Sequence, residues 1–151
     1  DVNFYGTLYM VKTFLPILKK REEAHIVNIS SMGGFIPVPG QTIYGASKAA
    51  VKLLTEGLHS ELSSTSVRVT VVFPGGVETG IAKDLVENSD TKKSNYKLLK
   101  PEQAAKIIID GMEKNKYRIR AGKDSTLMDR LYRLMPKTAA GLIAKQMKDL
   151  L

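Results

Sequence analysis

The sequence contains no cysteine and only two histidines, His25 and His59. Without thiols the chain has no disulfide bond, no thiolate ligand for zinc and no cysteine nucleophile, and two histidines disfavour a histidine-rich metal site. No apolar stretch approaches the ~18 residues that a membrane-spanning helix requires. These absences exclude disulfide scaffolds and cysteine hydrolases, and we expect neither a metal site nor a membrane span.

Acidic residues become scarce toward the C-terminus. Residues 1–91 carry 8 Lys and Arg against 9 Asp and Glu, whereas residues 92–151 carry 15 against 6. The net charge of +8 therefore belongs to the last sixty residues, which either face an anionic partner or surface or form a solvated basic face. With 151 residues, 43% of them apolar and 25% charged, the chain has the size and composition of one globular domain.

Helical and strand-like patterns alternate along the chain. Apolar residues at helical spacing predict helices over 1–22 and 42–63, and a further helix that begins at Pro101. Short apolar or β-branched runs predict strands at 26–29, 67–73 and 117–121, and the segment 32–41, rich in glycine and proline, is predicted to be irregular. Strands that alternate with helices predict an α/β fold with a parallel sheet covered on both faces.

The last helices are predicted to be amphipathic. We divide the chain into a unit of residues 1–123 and a basic helical tail of residues 124–151, which breaks at Pro136. The predicted apolar stripes of the three last helices are Ala105, Ile108, Ile109 and Met112, then Leu127, Leu131 and Leu134, then Ile143, Met147 and Leu150.

A tyrosine and a lysine share one helix face. Tyr44 and Lys48 are four residues apart, and an ammonium ~4 Å from a phenol, at an effective dielectric of ~20, favours the phenolate by ~4 kcal/mol. That would lower the pKa of the tyrosine from about 10 towards about 7, where it can act as a general acid or base. Tyr96 and Lys100 have the same spacing, but Lys100 precedes Pro101, which disfavours a helix there.

Polar and glycine-rich segments follow the first two predicted strands. Ser31 ends the first strand thirteen residues before Tyr44, and the segment 74–79, PGGVET, leaves the second. The carboxyl ends of parallel strands meet at one edge of a sheet, where ligands bind in open α/β folds. The sequence therefore predicts a site at that edge.

Three segments together resemble the short-chain dehydrogenases/reductases. These segments are IVNISSMGG at 26–34, YGASKAAV at 44–51 and VVFPGGVETG at 71–80, and the resemblance extends from residue 1 to about 121. It implies the C-terminal half of a doubly wound, Rossmann-like sheet flanked by helices. The implied activity is transfer of a hydride between NAD or NADP and a small carbonyl or alcohol substrate.

The resemblance also implies roles for individual residues. Tyr44 would be the catalytic acid/base, Lys48 would lower its pKa and hold the nicotinamide ribose, and Ser31 would bind the substrate oxygen. Asn3 matches the asparagine that supports a proton relay through water. The residues implied to contact the cofactor are Ile29, Tyr44, Lys48, Pro74, Gly75, Val77 and Thr79.

One part of the family pattern is missing. No two of the 12 glycines are spaced G-x-G, so the glycine-rich turn that cradles the pyrophosphate is not found. Because the sequence begins at Asp1 within an apolar periodic segment, we expect it to be a piece of a longer chain. The choice between NAD and NADP stays open, since it depends on that other half.

Other functions fit the sequence less well than an oxidoreductase does. Gly45-Ala46-Ser47 resembles a hydrolase nucleophile elbow, but it lies inside a helix. A nucleic-acid role is disfavoured because the basic segment has few aromatic residues. The main alternative is a catalytically incomplete fragment that acts as an oligomerisation or membrane-surface module through residues 124–151.

The sequence also bears on the oligomeric state, the substrate and the cellular location. The resemblance implies a homodimer or homotetramer that packs through the helices at 1–22 and 42–63. The apolar segment FIPVP, residues 35–39, favours a lipophilic substrate. We expect a cytoplasmic location, with peripheral contact of residues 124–151 with a membrane as an open alternative.

Overall fold

The computed structural model describes residues 2–78 and 98–146. A turn of π-helix at Val2–Gly6 leads into helix α1, and a turn of 3-10 helix at Met32–Gly34 interrupts the predicted irregular segment. The strands are β1 at Ala24–Ile29, β2 at Val67–Pro74 and β3 at Arg118–Ala121. The helices are α1 at Thr7–Leu18, α2 at Thr42–Glu61, α3 at Pro101–Glu113, α4 at Lys123–Leu134 and α5 at Pro136–Gln146.

The described strands form one parallel sheet in the order β1-β2-β3. Ile26 pairs with Val69 across the first ladder, and Val71 pairs with Arg118 across the second. Helix α2 connects β1 to β2, and α3 lies between β2 and β3 along the chain. The predicted α/β fold with a parallel sheet flanked by helices is confirmed.

The central strand is the most deeply buried element. Val71, Val72 and Phe73 of β2 have no exposed surface, as expected for a strand that is covered on both faces. Each fully buried side chain of this kind contributes about 1.5–3 kcal/mol. The main apolar core joins α1, α2, β1 and β2, and its buried members are Val11, Ala24, Ile26, Leu58, Leu62, Val67 and Val69.

The predicted apolar stripe of α3 is partly wrong. Ala105 and Ile109 are exposed, and the buried residues of this helix are Ala104 and Gly111. A β-carbon at Gly111 would lie 2.5 Å from Cδ1 of Ile119. The glycine lets the isoleucine of β3 reach the helix backbone, so close approach to the strand decides which face of α3 is buried.

The predicted apolar face of α4 is also partly wrong: Leu131 packs against the cluster of Ile36, Ala139 and Ile143, but the other two leucines do not. Leu127 is 61% exposed and Leu134 is 80% exposed, whereas Ser125 and Asp129, on the opposite side of the helix, are buried. Ser125 Oγ donates a hydrogen bond of 2.8 Å to the carbonyl oxygen of Phe73. Helix α4 therefore docks on the sheet through polar groups that have specific partners there.

Three arginines surround Asp129. Arg120 Nη1 lies 2.8 Å from Asp129 Oδ2, and Arg133 Nε and Arg118 Nη2 lie 3.1 and 3.3 Å from Oδ1. Arg118 also reaches Glu56 of α2, at 3.5 Å. Burial opposes ionisation of Asp129, but these hydrogen bonds and charges outweigh it and lower the pKa of Asp129. The ion cluster thus favours the folded state above the ordinary pKa of an aspartate, and that stabilisation is lost as the pH falls from this ordinary value through the lowered pKa of Asp129.

The last two helices also cover the segment that follows β1. Ile36 is 1% exposed and packs in a cluster with Ala139 and Ile143 of α5. Phe35 packs edge-on against Phe73, with 5.3 Å between ring centroids. Within the apolar segment 35–39, Phe35 and Ile36 thus pack inside the protein. The sequence had suggested that this segment lines a site for a lipophilic substrate.

Some expectations lie outside the described residues or stay untested. Met147 and Leu150 lie outside the described ranges, and the division of the chain at residue 123 stays a prediction. Within residues 2–78 and 98–146, none of the helices is both long and apolar enough to cross a bilayer.

Candidate active site

The carboxyl end of β1 is held against β2 and α2. The backbone N–H of Ser30 donates to the carbonyl oxygen of Val72 at 2.8 Å, which extends the ladder by one residue. The buried hydroxyl of Ser30 donates to the carbonyl oxygen of Lys48, also at 2.8 Å. Ser30 therefore has a structural role, and it fixes the helix that carries Lys48 to the end of the strand.

Ser31 begins the turn of 3-10 helix at Met32–Gly34. Its backbone is extended, with φ −162° and ψ 161°, and its Oγ accepts a hydrogen bond of 3.1 Å from Gly33 N–H. An extended N-cap serine whose oxygen accepts from the turn is a stable local arrangement. Because the oxygen is the acceptor here, the O–H of Ser31 remains available to donate to another group.

Two glycines, Gly34 of this turn and Gly45 of α2, let the backbone of the turn touch the backbone of the helix. A β-carbon at Gly34 would lie 2.6 Å from Ser30 Oγ and 2.9 Å from the carbonyl carbon and oxygen of Lys48. A β-carbon at Gly45 would lie 3.0 Å from the carbonyl oxygen of Gly33. Side chains larger than hydrogen would push the helix away. The sequence contains both glycines, but its local patterns do not predict that Gly34 and Gly45 approach each other's backbone segments.

This packing brings Tyr44 beside Ser31. The position of a β-carbon at Gly33 is 3.6 Å from Tyr44 Cε1 and 3.7 Å from Ser31 Oγ, so the ring and the hydroxyl flank the same glycine. The side chain of Tyr44 is 40% exposed, and it reaches the surface at the edge of the sheet. A ligand at this edge can therefore contact both groups.

Lys48 reaches the same place from one helical turn further along. Its Nζ donates to the carbonyl oxygen of Ile29 at 3.2 Å and lies 5.9 Å from the centroid of the Tyr44 ring. Partial burial lowers the pKa of Lys48. The predicted proximity of Ser31, Tyr44 and Lys48 is present in the structure, and Ile29 takes part through its carbonyl group.

Asn3 lies against the outer side of α2. Its Nδ2 donates to Ser47 Oγ at 3.3 Å, and Ser47 Oγ donates to the carbonyl oxygen of Tyr44 at 2.7 Å. The asparagine is thus connected to the helix that carries Tyr44 and Lys48. The sequence did not predict that Ser47 would form the connection.

The segment after β2 is fixed by backbone hydrogen bonds. Gly75 N–H donates to Ala121 O at 2.9 Å, Leu99 N–H donates to Gly76 O at 2.8 Å, and Glu78 N–H donates to Leu99 O at 2.9 Å. Among the described residues, no acceptor lies against the N–H of Val77. Thr79 lies outside the described residues.

The chain matches the family model for short chain dehydrogenases over residues 1–90, which is more than half of its length. The chain belongs to the short-chain dehydrogenase family, and the family predicted from the three sequence segments is confirmed.

Relatives among curated proteins agree with this assignment. The chain is 36% identical over 154 residues to a Mycobacterium tuberculosis protein that is named as an oxidoreductase, SadH, with 95% of this chain and 56% of that protein covered. It is 38% identical over 117 residues to an uncharacterized oxidoreductase of Staphylococcus aureus, with 78% and 48% covered. The chain spans about half the length of the curated relatives it matches.

Solved structures show the same fold. A short-chain dehydrogenase of Burkholderia cenocepacia in complex with NADP superimposes with a TM-score of 0.79 at 24% identity, over 94% of this chain and 56% of that one. A short-chain dehydrogenase/reductase of Burkholderia phymatum in complex with NAD gives a TM-score of 0.73 at 25% identity, over 91% and 57%. The predicted Rossmann-like half-fold is confirmed.

The contact between Gly34 and α2 can be tested by adding one methyl group. In the full-length protein, Gly34→Ala places a β-carbon against the carbonyl group of Lys48, and we expect the free energy of unfolding to fall by about 1–3 kcal/mol. Urea denaturation followed by circular dichroism measures the loss.

Gly57 supplies the matched control for that substitution. It lies on the exposed side of α2, and nothing lies within 4 Å of its added β-carbon. Gly57→Ala should therefore raise the free energy of unfolding by about 0.5–1 kcal/mol, through helix propensity alone. If Gly34→Ala is as stable as Gly57→Ala, the backbone contact does not hold the site together.

Proposed function

We propose that the full-length protein is an NAD(P)-dependent oxidoreductase that transfers a hydride between the nicotinamide and a carbonyl or alcohol substrate. The observation that carries the proposal is the meeting of Ser31, Tyr44 and Lys48 at the carboxyl end of β1. Membership of the family and the solved relatives in complex with NADP and NAD support it.

The described residues fit the nicotinamide end of such a cofactor. The N–H of Val77 has no acceptor among the described residues, and the preceding Gly76 has no side chain to block the approach of a ligand. Together with Pro74 and Thr79, this segment would contact the nicotinamide. The ammonium of Lys48 is a donor for ribose hydroxyls, and it lies between Ile29 and the Tyr44 ring. Both NAD and NADP share this end, so the fit does not choose between them.

The side chains divide the proton chemistry among themselves. When bound, the cofactor supplies or accepts the hydride. In the reductive direction the Tyr44 hydroxyl donates a proton to the substrate oxygen, and the Ser31 O–H donates a hydrogen bond to that oxygen. Lys48 contributes a positive charge 5.9 Å from the centroid of the Tyr44 ring, beside the reacting groups. Asn3, joined to α2 through Ser47, supports the return of a proton through water.

The family resemblance and an exposed apolar surface support a homodimer or homotetramer. Helices α1 and α2 present a set of apolar side chains to solvent, a pattern that marks interaction surfaces. This set is Tyr9, Met10, Phe14, Ile17 and Leu53. A small lipophilic substrate and a cytoplasmic location remain predictions.

Replacement of Tyr44 by phenylalanine tests the mechanism. Tyr44→Phe in the full-length protein removes the proton donor but keeps the ring, so kcat should fall by at least ~10²-fold on a panel of ketones and aldehydes. The dissociation constants of NADH and NADPH, measured by fluorescence, should stay within about twofold of the original values, since the ring and Lys48 remain.

Tyr117→Phe is the matched control, because Tyr117 is as exposed as Tyr44, 41% against 40%, and belongs neither to the proposed site nor to the proposed interface. It loses the same hydroxyl and should keep full activity. Full turnover by Tyr44→Phe would refute the role of Tyr44 as acid/base.

A second candidate function is contact with an anionic membrane surface, in addition to catalysis. The observation that favours it is the outward face of α4 and α5. Leu127, Leu134, Met135 and Leu142 are exposed there, next to Lys123, Arg130, Arg133, Lys137 and Lys145.

The acids of the same segment point inward. Residues 123–145 contain two, Asp124 and Asp129, of which Asp129 is buried among arginines and Asp124 accepts a hydrogen bond from Gly76 N–H. The outward face therefore combines apolar and cationic groups, as interfacial helices do on anionic lipid.

The comparisons give no support to the alternative of an inactive interaction module.

Sedimentation with lipid vesicles tests this contact. Phosphatidylcholine vesicles with about 30% phosphatidylserine should retain the full-length protein at ~0.05 M salt, and much less at ~0.5 M, because salt screens the lysines and arginines. The double variant Leu127→Ser/Leu134→Ser should bind several-fold less, whereas Ile109→Ser, which removes an exposed apolar side chain of α3, should bind normally. Equal binding to neutral vesicles, or an unaffected double variant, would exclude the contact.

A further inference from the structure

Two loops at the edge of the sheet interlock around one carboxylate. Gly75 follows β2 and Gly122 follows β3, and an added β-carbon at either glycine would collide with the carboxylate of Asp124. Gly122 has a φ of +128°, which disfavours other residues independently of the available space. The absence of two side chains thus creates the space that Asp124 occupies.

The carboxylate accepts a hydrogen bond from the backbone of the loop after β2. Gly76 N–H donates to Asp124 Oδ2 at 2.8 Å, and a hydrogen bond to an ionised acceptor is stronger than one to a neutral acceptor. Asp124 lies in the first turn of α4, where the helix dipole favours a negative charge. The aspartate therefore connects a rigid helix to a loop without regular structure.

Both backbone groups of Gly76 form hydrogen bonds. Its N–H is bound by Asp124, and its carbonyl oxygen accepts from Leu99 N–H at 2.8 Å. The neighbouring N–H groups of Gly75 and Glu78 are bound to Ala121 and Leu99. Val77 lies between these fixed points, and its N–H is the one that has no acceptor among the described residues.

We infer that Asp124 is a positioning residue, which fixes the Gly76 peptide so that the Val77 backbone faces the nicotinamide. This inference rests on the proposed function for the identity of the ligand. The position of the loop itself follows from the contacts of Asp124, and it can be measured without any ligand.

Amide hydrogen exchange tests the position of the loop. In the full-length protein labelled with ¹⁵N, the Gly76 amide should be protected, and Asp124→Ala should speed its exchange by about tenfold or more. Asp124→Asn keeps an acceptor oxygen at the same place and should restore most of the protection. Asp110→Ala removes an exposed carboxylate of α3 and should leave Gly76 unchanged.

Cofactor affinity gives the second readout. By fluorescence titration, Asp124→Ala should raise the dissociation constant of NADH or NADPH by about tenfold, and Asp124→Asn by less than about threefold. If the wild-type protein binds neither nucleotide, the proposed function fails, while the exchange of Gly76 still tests Asp124.

Three outcomes would overturn the role of Asp124. The first is an unprotected Gly76 amide in the wild-type protein, which is decisive even if Asp124→Ala fails to fold. The second is unchanged exchange in Asp124→Ala. The third is an equal change of Gly76 exchange and of the cofactor dissociation constant in Asp124→Asn and Asp124→Ala, because only Asp124→Asn keeps the acceptor oxygen on which the proposed role depends.

Discussion

The site depends on a contact between two stretches of backbone. Because Gly34 has no side chain, the turn after β1 rests directly on the carbonyl group of Lys48, and the Ser30 hydroxyl bonds to that same carbonyl oxygen. This contact sets the distance between the end of the strand and helix α2. Ser31 on the turn and Tyr44 on the helix are therefore held side by side. The Tyr44 phenol, the Lys48 ammonium and the Ser31 hydroxyl lie together at a partly exposed edge of the sheet.

Polar contacts of helix α4 fix it to the strands and the loop that lie next to that edge. Helix α4 buries Ser125 and Asp129 on the sheet, and Asp129 gathers arginines from β3 and α4. A buried carboxylate among arginines resists small displacements, since any shift leaves charges without partners. Asp124, one turn earlier, fixes the loop that follows β2. The same orientation of the helix leaves Leu127, Leu134 and Arg130 exposed on the outer surface.

Local patterns and the joint spacing of three segments were enough to predict the fold and the family. Alternating elements predicted the parallel sheet, and the segments around Ser31, Tyr44 and Gly75 predicted the family. The sequence could not predict which face of α4 is buried, because apolar periodicity favours Leu127 and Leu134. Two of the arginines that pair with Asp129 come from β3, and they approach the helix only once the sheet is formed. The roles of Gly34 and Gly111 were missed for the same reason, since a glycine's value lies in what approaches it in space.

The central claim is that Ser31, Tyr44 and Lys48 surround the reacting end of a nicotinamide dinucleotide. The most direct measurement is a crystal structure of the full-length protein with NAD or NADP bound. The account predicts Lys48 Nζ and the Tyr44 hydroxyl within ~3.2 Å of the nicotinamide ribose hydroxyls, with the Val77 backbone against the carboxamide. A dinucleotide whose nicotinamide lies away from Tyr44, with the phenol facing another part of the molecule, would contradict it.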